Sequence, residues 1–132
     1  MTRQEQTNNR DLTVSKWIRA KLPDSSTGFL VSDLDFILYN WKTQKLMLLE
    51  VKQFGSKPRK WQKKLFAMLH KIIYTGVKVF NAQKTFDINC EYGDLEYLGF
   101  HLITVNGKDF SDGVLFDNIK VTESELIARL SF

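Results

Sequence analysis

Hydrophobic and polar positions divide the chain into short elements of two kinds. KLMLLEVKQ, residues 45 to 53, is almost continuously apolar over a length that suits a central strand buried on both sides. The preceding GFLVSDLDFILYN alternates: Leu34, Phe36 and Leu38 share one face, and Asp33, Asp35, Ile37 and Tyr39 share the other. NWKTQK between them reads as a turn, so the two segments form a hairpin and Asp35 can lie close to Glu50 across it.

Helical spacing marks two further stretches. Residues 11 to 22 place Leu12, Trp17, Ile18 and Leu22 for a short amphipathic helix, with Asp11 as N-cap and Pro23 as stop. Residues 59 to 75 form a second helix, with Pro58 near its first turn and Gly76 after its end. Its apolar stripe is Trp61, Leu65, Met68, Leu69 and Ile72, with Phe66 and Ile73 at the edge and Gln62 inside the arc; Lys60, Lys63, Lys64 and Lys71 lie opposite. VKVFNA and EYLGFHLITV read as later strands around a polar segment of undetermined shape. The tail gives a short hairpin and then a helix capped by Thr122, with Glu125 completing a capping box. The pattern predicts an α/β fold, a central mixed sheet flanked by helices.

A chain of 132 residues that is 43% hydrophobic, with ten Phe, four Tyr and three Trp, supports one domain over 1–132, of which 1–10 is expected to be flexible. The single Cys90 excludes an internal disulfide, no apolar run reaches membrane-span length, and the polar start is not a secretory signal. A cytoplasmic protein is expected. The net charge of +4 hides an uneven distribution: residues 51 to 86 hold nine of the nineteen Lys and Arg and none of the fifteen acidic residues. Such a block is the footprint of a polyanionic partner, with Lys57, Arg59, Lys60, Lys63 and Lys64 as candidate phosphate contacts. Its bland alternative is a solvated helix face.

Glu50 and Lys52 sit inside an apolar strand, where isolated charges are expensive. They project from one surface, and Asp35 approaches from the neighbouring strand. Two converging carboxylates form a hard-oxygen site suited to Mg2+, which keeps water and substrate phosphate in its other positions; Mn2+ would substitute. A lysine beside it can neutralise charge on a phosphate under attack. The chemistry that fits is phosphodiester hydrolysis.

SDLDFIL followed by LMLLEVKQ resembles the motif of the PD-(D/E)xK nuclease superfamily, an Asp on one strand and Asp or Glu, any residue, Lys on the next. The resemblance covers residues 27 to 75. It implies a restriction-endonuclease-like core and DNA cleavage by a metal-activated water, leaving 5'-phosphate ends. Asp35, Glu50 and the Val51 carbonyl would be metal ligands, Lys52 the catalytic lysine and Gln62 an active-site helper. Small enzymes of that superfamily, Holliday junction resolvases among them, imply by analogy a homodimer, and the compact size suits a phage or mobile-element protein. Two features depart from the family pattern: little more than TGFLV is available for a strand before the Asp-bearing one, and only Glu5 or Asp11 could add an acidic ligand from the first helix.

The rival reading is a binding module of the same fold without catalysis, and a third is an assembly protein whose acidic pair is a salt-bridged core feature. Individually, Glu50 and Lys52 could be a plain ion pair, Asp33 a strand-entry residue, Gln62 a partner for a backbone group, and His101 a packed strand residue. His70 falls on the basic arc, facing solvent or phosphate. Whether Asp33 contributes, whether cleavage is internal or terminal, and which DNA form is preferred stay open at this level.

Overall fold

The apolar run KLMLLEVKQ becomes β2, Lys45–Gln53, the second strand of a five-stranded sheet ordered β1-β2-β3-β4-β5 in this computed structural model. Residues 9–28, 34–53, 55–83, 93–107 and 110–132 are described. They fall into two units, Met1–Asp33 and Leu34–Phe132. The first contains α1, Asn9–Lys21, which ends two residues before Pro23. Asp11 lies inside α1 rather than at its cap, because the helix begins two residues earlier.

The second unit holds the sheet. β1, Phe36–Asn40, pairs antiparallel with β2, from Phe36 opposite Leu49 to Asn40 opposite Lys45. Asn40 Oδ1 accepts from the Lys42 and Thr43 amides at 2.9 and 3.2 Å, and Gln44 takes a left-handed φ of 58°, closing the expected turn. The strand is shorter than its alternation suggests: Leu34 and Asp35 precede the ladder, and 29–33, including Asp33, lie outside the described residues. α2, Lys60–Ala82, then crosses over to β3, Glu96–Val105, which runs parallel to β2 as a βαβ crossover requires.

α2 corrects two expectations. It runs through Gly76 and takes in VKVFNA, which is helix and not strand. The reason is packing: Phe66, Leu69, Ile73, Val77 and Asn81 continue one half-buried row, which outweighs the roughly 0.5–1 kcal/mol penalty of an interior glycine and the β preference of Val77 and Val79. That row is also turned from the expected stripe, leaving Met68 and Ile72 exposed. Three contacts fasten the helix to β3 and its approach. Phe66 stacks on Phe100 at 4.7 Å, His70 Nδ1 lies 3.0 Å from the Tyr97 hydroxyl, and Asn81 exchanges hydrogen bonds with the Leu95 backbone at 2.8 and 2.9 Å.

Between Leu46–Tyr97 and Leu48–Phe100 the β2–β3 register slips by one residue. Gly99 occupies this bulge with φ of 100°, and a Cβ there would meet the His101 ring at 3.0 Å. The extra residue keeps Tyr97, Phe100 and Leu102 on the α2 side together with Leu48 and Glu50. β4, Val114–Phe116, and β5, Ile119–Val121, complete the sheet through a two-residue turn in which Asp117 and Asn118 both have positive φ.

The opposite face carries the core: Met47, Leu49, Ile103, Val105, Val114, Phe116 and Val121, covered by Leu126 of α3, Glu123–Leu130. The Thr122 hydroxyl accepts from the Glu125 amide at 3.1 Å, as the sequence predicts. A mixed sheet with helices on its two faces is the α/β architecture expected. Among the described residues no helix is long and apolar enough to cross a membrane.

Candidate functional site

Alternation along β2 puts Met47, Leu49 and Val51 into the core and Leu48, Glu50 and Lys52 on the α2 face. Glu50 is only 4% exposed, and its Oε1 lies 3.1 Å from Lys52 Nζ. Its Oε2 is buried with no hydrogen-bond donor in reach among the described residues. Burial is the main cause that raises the Glu50 pKa above its usual value; Lys52 opposes this, and the neighbouring Asp35 carboxylate adds to it.

Continuing the β1–β2 register by one pair sets Asp35 opposite Glu50. Asp35 Oδ2 accepts from the Val51 amide at 2.8 Å, which fixes the carboxylate at the end of the ladder. In an extended strand the N–H and C=O of one residue point to the same side. The Val51 carbonyl therefore faces the Asp35 side, past the last β1 pair. Asp35, Glu50, Val51 and Lys52 are thus brought together.

This arrangement suits a cation on chemical grounds: two carboxylates that repel each other, one orphaned oxygen, and an adjacent backbone carbonyl. Among the described residues no three His, Cys, Asp or Glu side chains converge, so the remaining positions would fall to water or a ligand, as Mg2+ prefers.

Gln62 stands at the start of α2, where its Oε1 accepts from the Arg59 amide at 3.0 Å. It caps the helix and sets the first turn beside the sheet. Lys57, Arg59, Lys60, Lys63 and Lys64 are all exposed. Lys63 differs from the rest by lining a cleft of about 280 Å³ between α2 and the sheet, with Glu50, Phe66, His70, Phe100 and Asp117 among its other walls.

Asp117 and the aromatic wall were not legible as site residues. Asp117 reaches the cleft because its Oδ1 accepts from the Leu102 amide at 2.8 Å and its Oδ2 pairs with His101 Nδ1 at 2.6 Å. The signals available were Gly99 inside a strand, which marks a bulge, and the Asp-Asn pair, which favours a tight turn. His101 also stacks on Phe116 at 4.8 Å and places Nε2 2.7 Å from the Leu98 carbonyl, the packed strand role expected of it. Comparison with protein-family models, with curated proteins and with solved structures finds no match to the chain.

Proposed function

We propose that the chain is a Mg2+-dependent nuclease that hydrolyses phosphodiester bonds in DNA, as the resemblance to the PD-(D/E)xK superfamily implies, and that it works in the cytoplasm, as its single Cys and its lack of a membrane-length apolar run suggest. One observation carries the reading: Glu50 is buried with an orphaned oxygen, faces Asp35, and keeps Lys52 within 3.1 Å. A buried carboxylate paired with a second carboxylate is unfavourable in a purely structural role and favourable around a cation.

Asp35, Glu50 and the Val51 carbonyl would hold the metal, which supplies Lewis-acid polarisation of a phosphate and lowers the pKa of water. Asp35 is held for that duty by the Val51 amide. Lys52 brings a fixed positive charge to phosphate oxygens as negative charge builds on them. Gln62 secures the start of α2, and Lys57, Arg59, Lys60, Lys63 and Lys64 hold the DNA backbone. A homodimer would give a second site for the second strand.

The test is a titration of Mg2+ and Mn2+ against supercoiled, linear and branched DNA, scored in parallel for cleavage and for binding. Wild type should cleave, Lys52→Met should bind and not cleave, and Asp35→Asn should lose both cleavage and metal affinity. Asparagine keeps an oxygen for the Val51 amide, so its loss reports charge and not folding. Binding by wild type without cleavage under any metal would favour a catalytically inert module.

A further inference from the structure

The cleft beside Glu50 has a composition that metal chemistry alone does not require. Its inner wall is apolar and partly aromatic: Phe66 and Phe100 stacked at 4.7 Å, with Leu102 and Ala67. Lys63 and His70 stand on the same flank of α2, two turns or roughly 10 Å apart, and both line it. His70 is steadied by the Tyr97 hydroxyl at 3.0 Å. Of its two acidic groups, Asp117 is engaged by His101 and the Leu102 amide, and Glu50 is the buried carboxylate whose Oε2 has no donor among the described residues.

Aromatic side chains flanked by a cation describe how single-stranded nucleic acid is held: a base rests on a ring while a basic group meets its phosphate. At about 280 Å³ the cleft falls just below the roughly 300–1,000 Å³ typical of drug-sized sites, which suits one planar ring system and excludes a duplex segment. The acid-free stretch 51–86, which supplies Lys63 and His70, gives the matching charge.

We infer that the cleft between α2 and the sheet seats one unpaired nucleotide of DNA, its base against Phe66, Phe100 and Leu102 and its phosphate at Lys63 and His70. The substrate class is then DNA with a single-stranded segment, and the nucleotide held lies next to the bond presented to Asp35, Glu50 and Lys52. The polymer's identity rests on the nuclease reading; the base pocket rests on the cleft.

The experiment measures anisotropy of a labelled thymidine 12-mer, an abasic 12-mer and a 12-base-pair duplex in EDTA, so that cleavage plays no part. Wild type should bind the thymidine strand roughly tenfold or more tightly than the abasic strand, the size expected of one stacked base. Ala67→Phe fills the cleft from an exposed helix position. It should bring the thymidine strand down to the abasic level and leave the duplex unchanged. Equal binding of thymidine and abasic strands by wild type, or an Ala67→Phe effect that is the same on duplex, overturns the pocket. If wild type cleaves no DNA with Mg2+ or Mn2+ yet Ala67→Phe shows the selective loss, the pocket stands and the nuclease reading falls. Cleavage by wild type without that selectivity gives the reverse result.

Discussion

Glu50 shows how a single residue can be set against its surroundings. Without a cation its folded-state pKa lies above the ordinary 4.5, first because burial disfavours the charge and then because Asp35 is near, with Lys52 only partly compensating. Between the ordinary value and the raised one, the folded protein therefore holds a proton that the unfolded chain has lost. Its contribution to stability is full below about pH 4.5 and is lost as pH rises through the raised value. Glu50→Gln cannot titrate. Denaturant unfolding in EDTA, followed upward from pH 5, should thus shift the stability difference toward the variant until the raised value is passed and then level off, with a slope of no more than about 1.4 kcal/mol per pH unit, the limit for one proton. Adding Mg2+ at pH 8 should stabilise wild type and leave the variant unmoved. A pH-independent difference would mean that Glu50 is solvated as an ordinary carboxylate. At this scale Glu50 and Lys52 were legible because strand alternation is strict, and Asp35 because a hairpin register follows from the turn. The bond from the Val51 amide was not legible, since Asp35 lies just beyond the ladder.

At the scale of elements, α2 walls one side of the cleft beside Glu50, and it is where pattern reading failed. Glycine and β-branched residues near position 76 signal a break, yet Ile73, Val77 and Asn81 keep the helical row going and Asn81 ties the end to Leu95. Tertiary contact decided against local preference. The same length carries the basic face, and its lysines are exposed as the charge pattern predicts. Replacing Lys60, Lys63 and Lys64 by alanine should weaken DNA binding and flatten its dependence on salt, by about 0.7–0.9 in log–log slope for each phosphate contact removed. Binding isotherms between about 50 and 200 mM salt measure this directly. A slope identical to wild type would move the DNA to another surface. Gly99 is the companion case in β3: one residue at positive φ slips the register and brings Tyr97 onto the α2 side with Phe100 and Leu102, which plain alternation through EYLGFHLITV could not foretell.

Taken as a whole, the Leu34–Phe132 unit separates its duties between the two faces of one sheet. Met47, Leu49 and Val51 of β2 pack into the core with Leu126, while Glu50 on the other face lines the cleft. The fold class was legible because both periodicities, two and 3.6, recur along the chain; which helix takes which face was not, since periodicity records a buried side without naming its partner. The separation should make stability and the proposed metal binding independently adjustable. Leu126→Ala removes a side chain that is 4% exposed among Val121, Phe116 and their neighbours. It should lower unfolding free energy by about 2–5 kcal/mol, the range for a buried leucine truncated in a packed core. Asp35, Glu50 and the Val51 carbonyl stay in place in the molecules that remain folded, because β2 keeps its pairing with β1 and β3. Calorimetric Mg2+ affinity, measured at a temperature where the variant is fully folded, should therefore match wild type. A parallel fall in affinity and stability would show that the core face and the chemical face move together, and that strain in one is transmitted through β2 to the other.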